Sequence, residues 1–372
     1  MMASAVALPA RAFSGSYSPE DVTFLLKPVS LLPTDILHKE KAIQSGRRHY
    51  SEMLSAEAVP DAAYLELFEA ALRRNSARLA HDVARLADAI AAAARPGQEI
   101  VLVSLARAGT PIGILLRRSL RRRGIAAVHY SVSIIRDRGI DMAALGWIAE
   151  RHDPASAVFV DGWTGKGAIA GELHRSLADR PFGFVPRLAV IADPAGRADL
   201  AATEEDYLIP SGLLNAVVSG LVSRSILNDE LVAPGDFHAC VSYAEFASID
   251  RSRPFVDAID AAHPHVAPAL FSRSADARKA TARRCDKVIG EIMAVWNVRD
   301  RNRIKPGIAE ATRVFLRRVP ERLLLRDPGE PDVAHLLHLA RRGNVAIARM
   351  PAASPFQAAV IIRALATEEE GQ

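Results

Sequence analysis

The sequence has 372 residues, of which 49% are hydrophobic and 24% charged, with a formal net charge of +4 at pH 7. This balance is that of a folded protein with a sizeable core, and the length suggests two or three domains. The two cysteines, Cys240 and Cys285, have no second pair near them, which argues against a disulfide framework or a zinc cluster and favours a cytoplasmic protein. The apolar stretches are too short to span a membrane.

The N-terminal part of the chain predicts short elements followed by one long helix. Residues 1–18 lack the basic start and long apolar centre of a signal peptide, so we expect a frayed end. Residues 19–60 are interrupted by four prolines and should form short elements packed over a larger unit. Residues 64–94 place apolar side chains at helical spacing, and "RPGQ" ends the predicted helix.

Strand and helix patterns then alternate along the middle of the chain. This alternation predicts an α/β fold, a parallel sheet with helices on both faces, whose ligands bind at the carboxyl ends of the strands. The predicted strands are 99–106, 126–135, 157–162 and 187–196, and the predicted helices are 111–123, 141–151 and 167–179.

The C-terminal part predicts a smaller α/β unit after a basic helix (274–296) and the polar stretch "NVRDRNRIKPG". "TRVFLRRV", "RLLLRD" and "NVAIARM" are interpreted as strands, and "PDVAHLLHLARRG" and "PFQAAVIIRALA" as helices. We therefore place three segments at 1–260, 261–310 (a helical linker) and 311–372.

The loop "SLARAGTPIG" between the first strand and its helix has two equally weighted interpretations. The backbone N–H groups of Ala108, Gly109 and Thr110 would lie at a helix N-terminus, where an anion is favoured, and Arg107 would add a guanidinium that matches phosphate oxygens. The alternative is an ordinary turn with a surface arginine.

A second loop, "SIIRDRGID", is charged and contains a glycine. It is either a solvated turn or a lid in which Arg136 or Arg138, on either side of Asp137, closes on a phosphate when substrate is present.

The third loop, in "VFVDGWTGKGAIAGEL", resembles a phosphate site but fits neither common nucleotide motif. Lys166 is followed by glycine rather than by the hydroxyl of a Walker motif, and the glycine spacing is not that of a dinucleotide site. An acid followed by a Thr-Gly turn suits a sugar phosphate, with the acid facing hydroxyls or Mg²⁺. The candidate residues are Asp161, Thr164, Gly165, Lys166, Gly167 and Ala168.

These three loops together resemble those of the type I phosphoribosyltransferases, over roughly residues 99–196. In that family "AVFVDGWTGKGAI" would bind ribose phosphate, "LARAGTP" would bind pyrophosphate, and "SIIRDRGID" would be the closing loop. The resemblance implies transfer from phosphoribosyl pyrophosphate, or another ribose phosphate, with Mg²⁺ bound at Asp161. It implies that Arg107, Asp137 and a closing Arg136 or Arg138 act with Asp161 in catalysis. One acid of the usual pair is replaced by Val160, so the ribose contacts should differ.

The whole chain resembles more narrowly the phosphoribosyltransferase-like proteins of tellurium-resistance (ter) gene clusters, some of which are labelled StiP-type cysteine proteases. The motifs that carry this resemblance are "VSLARAGTPIG", "YSVSIIRDRGID", "VFVDGWTGKGAI", "IPSGLLNAVVSGLVSRSIL" and "GDFH". "IKPGIAEATRVFLRRVP" opens a segment similar to the Pelota-type RNA-binding domain. The resemblance implies a role in making a nucleoside-like metabolite during a stress response, with a homodimer expected.

Other interpretations stay open beside the transferase. Asn215 and Ser219 in "IPSGLLNAVVSGLVSRSILND" either form a hood over a base or belong to a helix packed at the sheet edge. The C-terminal unit binds RNA or serves as a docking module. The protein could instead be a non-catalytic sensor of a phosphorylated ligand. A cysteine protease would depend on Cys240 with His238, although a small buried cysteine is commonly structural.

Overall fold

The computed structural model describes residues 13–264, 269, 271–351 and 353–365, so most of the expected frayed N-terminus lies outside the described residues. Helices and strands are numbered separately in chain order. The helices of the described chain are α1 (Ile36–Gln44), α2 (Ala62–Ala93), α3 (Gly109–Arg122), α4 (Met142–Ala149), α5 (Ala168–Ser176), α6 (Ser252–Ala261), α7 (Ala275–Val295), α8 (Ile308–Arg317) and α9 (Ala334–Arg342). The strands are β1 (Thr23–Leu25), β2 (Lys27–Pro28), β3 (Ile100–Leu105), β4 (Ala127–Val132), β5 (Ile134–Ile135), β6 (Gly139–Ile140), β7 (Ala157–Trp163), β8 (Leu188–Ala192), β9 (Leu200–Thr203), β10 (Ala239–Cys240), β11 (Ile304–Pro306), β12 (Pro320–Leu325), β13 (Ala346–Arg349) and β14 (Ala358–Ile362).

A six-stranded parallel sheet forms the centre of the molecule, with strand order β1-β4-β3-β7-β8-β9. All six residues of β3 are buried, and alternate residues belong to different apolar clusters: Leu102 packs with α2 and α3, whereas Val103 packs with α4 and α5. This is the pattern of a strand covered on both faces. The predicted α/β fold is confirmed, although the two edge strands β1 and β9 were not predicted.

The C-terminal unit (residues 304–362) contains a second sheet, with order β11-β14-β12-β13, and helices α8 and α9. Two predicted elements are wrong here. "TRVFLRRV" lies largely in helix α8 rather than in a strand, and "PFQAAVIIRALA" contains strand β14 rather than a helix. The five residues of β14 are buried throughout because the strand is in the middle of the sheet. A short apolar run of this kind carries no periodicity that separates strand from helix.

The apolar core is shared between the two sheets. One continuous cluster joins Ile209 and Leu213, beside the central sheet, to Ile308, Ala311 and other residues of the C-terminal unit. Helix α8 therefore packs against both parts of the molecule.

The segment 209–229 forms short 3₁₀ turns at Pro210–Gly212 and Ala216–Val218 instead of the α-helix considered from sequence. Across the described ranges, no helix has the length and apolar character needed to cross a membrane.

Candidate functional site

The turn between β7 and α5 lies at the carboxyl edge of the central sheet, as predicted, and its geometry depends on two residues. Gly167 has a φ of +89° and begins α5, and an added Cβ there would lie 2.7 Å from Cγ of Arg197. The Thr164 hydroxyl donates to Asp193 Oδ1 at 2.5 Å, so it is used in holding the turn. Gly165 and Ala168, two of the candidate residues, line a pocket beside the turn.

Lys166 joins this turn to the C-terminal unit. Its ammonium group donates to the backbone carbonyl of Ile304 at 3.1 Å and to that of Arg301. Burial, followed by the neighbouring charges of Lys305 and Arg301, lowers the pKa of Lys166 to about 7. The lysine that the sequence indicated as a phosphate neighbour is therefore also a link between the two parts of the molecule.

Asp161 shares the pocket with a second carboxylate, Glu310 of α8. Burial, together with the charge of Glu310, raises the pKa of Asp161 to about 7 even though Arg313 opposes the shift. Burial disfavours the charge on Glu310 as well, but Arg313 and Lys305 bring its pKa below the ordinary value. The central domain supplies one acid and the C-terminal unit supplies the other.

Two adjacent chambers with shared lining residues make up what we call the cationic pocket. A chamber of about 80 Å³ lies beside the glycine turn, and one of about 260 Å³ lies between α8 and the N-terminal segment; both are lined by Lys305, Glu310 and Arg313. Among the described residues that line the larger chamber, one side chain is acidic and seven are cationic. These cations are Lys39, Arg136, Arg224, Lys305, Arg313, Arg317 and Arg318.

Some of these cations are neutralised locally. Arg313 pairs with Glu310 at 2.7 Å, Arg318 pairs with Glu40, and Arg136 pairs with Asp137 at 2.9 Å. The remaining four have no ion-pair partner among the described residues. They are Lys39, Arg224, Lys305 and Arg317.

Burial and like charge act on these unpaired cations. Burial, helped by Arg224, lowers the pKa of Lys39 to about 7, and burial lowers that of Lys305 to about 8. Burial and the nearby Arg313 lower the pKa of Arg317. Burial and neighbouring positive charges therefore disfavour the charged forms of these side chains, and a bound anion would stabilise them.

The first predicted loop faces inward. Arg107 is buried, donates to the Val222 carbonyl at 2.7 Å and pairs with Glu57 at 3.4 Å, so it is not the surface arginine of the alternative interpretation. Gly109 is required by close packing, because an added Cβ would lie 2.1 Å from the Val160 carbonyl oxygen. Thr110 is hydrogen-bonded to a buried serine rather than directed at a ligand.

Asn215 and Ser219 do lie beside Arg107. With Ala108, they line a cavity of about 20 Å³ at the base of the first loop. This volume is close to that of one water molecule, so the described side chains leave no room for a base at this point. The Ser219 hydroxyl donates to the Asn215 carbonyl at 2.7 Å.

The second predicted loop is a short hairpin formed by β5 and β6. Arg136 lines the larger chamber, and its backbone N–H donates to the Tyr50 hydroxyl at 2.8 Å. Asp137, with a φ of +67°, has an exposed side chain, and Arg138 pairs with Glu52 away from the pocket. Of the three predicted residues, only Arg136 reaches the pocket.

The sequence analysis missed the contribution of α8. Glu310, Arg313, Val314 and Arg317 follow one another at i, i+3, i+4 and i+7, so they share one helix face, and all four line the larger chamber. The available signal was the helical spacing of these residues after Gly307. It was overlooked because "TRVFLRRV" was interpreted as a strand.

Both cysteines are enclosed. Burial raises the pKa of Cys240 to about 12 and that of Cys285 to about 11. His238 uses Nδ1 for a 2.7 Å hydrogen bond with Ser133 Oγ, and its backbone N–H donates to Asp141 at 2.6 Å. Because a thiolate is the nucleophile in cysteine catalysis, Cys240 is in an unreactive state in this structure.

Fold and site together define an α/β protein with a parallel central sheet and a cationic pocket shared with a C-terminal α/β unit. The family model described as "Tellurite-like stress resistance cysteine protease StiP" matches residues 15–260, and the one described as "PELOTA RNA binding domain" matches residues 283–364. The "Cysteine protease StiP" of Acinetobacter baylyi is 45% identical over 340 residues, which cover 88% of each chain. The chain belongs to the StiP family.

Some solved structures resemble part of the chain. The hypoxanthine phosphoribosyltransferase of Trypanosoma cruzi is 17% identical, with a TM-score of 0.27, and the match covers 36% of this chain and 81% of that one. The same enzyme in complex with the product IMP is 15% identical, again with a TM-score of 0.27, over 36% of this chain and 73% of that one. Similarity at this level carries no argument about activity.

The comparisons correct the functional prediction. The assignment as a phosphoribosyltransferase is wrong, since the family model and the curated relative both name a cysteine protease, which is a hydrolase. The alternative of a non-catalytic sensor or RNA-binding protein does not match that name either. The resemblances to the StiP family and the Pelota-type domain, and the link to tellurite stress, are confirmed at the level of the family descriptions. The domain boundaries, the RNA partner, the homodimer and the cytoplasmic location stay predictions.

Proposed function

We propose that this StiP-family protein binds a phosphate-bearing anion in the cationic pocket. The observation that carries the proposal is the group of four cations that line the larger chamber without an ion-pair partner among the described residues. Holding unpaired charges out of water is unfavourable, so their convergence is best explained by an anionic ligand that supplies the missing charge.

Several features favour phosphate as the anionic group. Arg317 carries a planar guanidinium group, which can bind phosphate oxygens through two parallel hydrogen bonds. Arg224 contributes mainly its charge, because its guanidinium already donates to the backbone carbonyls of Tyr50, Met53 and Ser225. The smaller chamber is lined by Gly167 and Ala168 at the N-terminus of α5, where backbone N–H groups and the helix dipole favour negative charge. The two chambers could therefore hold two anionic groups of one ligand.

Calorimetry with tripolyphosphate at pH 7 tests the proposal. Arg317→Ala should weaken binding by about 2 kcal/mol, roughly thirtyfold in Kd, because it removes a charge-assisted hydrogen bond to the ligand. Arg349→Ala is the matched control: this arginine is exposed on β13, outside the pocket, and its loss should leave the Kd within twofold. No detectable binding to the unmodified protein, or an equal loss in both variants, would contradict the proposal.

The proposal includes a Mg²⁺ ion bound together with the phosphate-bearing ligand. No group of three or more potential metal ligands occurs among the described residues. Mg²⁺ is commonly held by one or two carboxylates together with ligand phosphates, and Asp161 could supply such a carboxylate. Mg²⁺ should therefore tighten tripolyphosphate binding to the unmodified protein but not to Asp161→Asn.

A second candidate function is the cysteine-dependent proteolysis named for the curated relative. Cys240 is the cysteine that lies inside the segment matched by the StiP family model, whereas Cys285 lies outside it. If the chain cleaves peptides, Cys240→Ser should abolish cleavage and Cys285→Ser should not. Because Cys240 is buried, this reaction would require local opening around β10.

A further inference from the structure

Helix α8 belongs to the C-terminal unit, yet one of its faces forms a wall of the cationic pocket. Glu310, Arg313 and Arg317 project from that face into the larger chamber. The guanidinium of Arg317 donates no hydrogen bond to a described residue, so it is available to a ligand. The segment that carries these side chains lies inside the stretch matched by the RNA-binding family model.

A half-buried carboxylate from the central part of the molecule fixes the start of α8. Both oxygens of Asp206 accept from the backbone N–H of Ile308, at 3.1 and 3.2 Å, and Oδ2 also accepts from that of Gln357 at 2.8 Å. These contacts fix α8 and the chain just before β14 to the same point. Gly307 makes the close approach possible, because its φ of +96° directs the chain into the helix beside the carboxylate.

We propose that the C-terminal unit is a ligand-binding part of the cationic pocket, and that Asp206 is a positioning residue that aims helix α8 at the ligand. This inference depends on the proposed anion-binding function and deepens it. It gives the C-terminal unit a role in small-molecule binding that is separate from RNA binding.

The length of α8 makes the anchor effective. At 1.5 Å per residue, Arg317 lies about 13 Å along the helix from Ile308. A tilt of about 10° at the anchored end would therefore move the backbone of Arg317 by about 2 Å. A displacement of that size breaks hydrogen bonds to a ligand, because their donor–acceptor distances vary by only a few tenths of an ångström.

Asp332 provides a matched control for this role. It is also a carboxylate between the two parts of the molecule: Oδ2 accepts from the Leu208 backbone N–H at 2.9 Å, and Oδ1 accepts from the Asn75 side chain at 3.0 Å and pairs with Arg74 at 2.9 Å. It lies just before α9 rather than at α8, and it does not line the pocket. Loss of either carboxylate should destabilise the fold, but only loss of Asp206 should release α8.

The experiment compares Asp206→Ala and Asp332→Ala of the full chain by calorimetry with tripolyphosphate, after circular dichroism and thermal melting show that each variant is folded. We expect Asp206→Ala to raise the Kd at least tenfold and Asp332→Ala to change it less than twofold, with similar losses of Tm. Asp206→Asn, which keeps an acceptor oxygen for Ile308, should recover most of the affinity. If Lys39→Ala weakens tripolyphosphate binding but Asp206→Ala does not, the pocket binds the anion without the positioning of α8 by Asp206, and this inference is wrong. Failure of the proposed function itself would appear as no binding to the unmodified protein.

Discussion

Raising the pH from 6 to 9 should sharply weaken binding of a permanently charged anion to the cationic pocket. Lys39 and Lys305 have pKa values of about 7 and about 8, chiefly because of burial. Both are charged at pH 6 and mostly neutral at pH 9 in the free protein. An anion that requires their charged forms must then bind with uptake of protons, so its affinity falls as the pH rises through these values.

The magnitude follows from the pKa values. At pH 9 the pH lies about two units above the pKa of Lys39 and about one unit above that of Lys305. Protonating each lysine costs about 1.4 kcal/mol for every unit of this difference. The total, about 4 kcal/mol, corresponds to roughly a thousandfold increase in Kd between pH 6 and pH 9. The arginines of the pocket supply a further affinity for the anion beside that of the two lysines.

The assay is calorimetry with benzene-1,3-disulfonate, whose charge is constant over this range, in buffers of different ionisation enthalpy that report proton uptake directly. The double variant Lys39→Arg, Lys305→Arg is the control, because guanidinium groups keep the charge. Its pH profile should be much flatter than that of the unmodified protein, with a residual slope from Lys166 and Asp161, whose pKa values are also about 7. A Kd of the unmodified protein that stays constant between pH 6 and pH 9 would refute the reasoning.

Three further outcomes test the structure around the pocket. Gly167→Ala should lower the free energy of unfolding in urea by about 1–2 kcal/mol, because the residue has a positive φ and little room for a Cβ, whereas Gly171→Ala, inside α5 with open space, should be neutral or stabilising by up to about 1 kcal/mol. Arg273→Met should cost about 3 kcal/mol in the same assay, because it leaves a fully buried aspartate unpaired, and Lys279→Met, in an exposed pair, less than about 0.5 kcal/mol. Cys240 should resist iodoacetamide at pH 8 until the protein is unfolded; rapid labelling of the native protein would contradict its burial.

The central sheet was predictable because its signals are local. Strands such as β3 and β7 are short, apolar and bounded by helices, and few folds besides a covered parallel sheet produce that pattern. The edge strands β1 and β9, with three and four residues, are too short to show a pattern of their own. Helix α8 was missed because the short apolar run at 314–316 does not by itself distinguish a strand from a helix.

The candidate site was predictable only in part, because half of it comes from another region of the chain. Asp161 and the turn at 163–168 line one pocket, since the residues that form the turn are adjacent in sequence. Arg107 is a different case: its loop lies at the predicted edge, but its guanidinium forms an ion pair with Glu57, which is distant in sequence. Such pairings depend on tertiary packing, which local sequence does not encode. For the same reason the acid that accompanies Asp161, Glu310, could not be located before α8 was placed.

The apolar cluster that runs from the central sheet into the C-terminal unit has a consequence for how the chain unfolds. Leu213 and Ala311 belong to one continuous core. They nevertheless lie in segments of the chain that two different family models match, 15–260 and 283–364. The border between those segments is therefore not a border between independent folding units. A fragment cut there would expose the apolar side chains that now cover one another. Calorimetric melting of the full chain should accordingly show one cooperative transition rather than two.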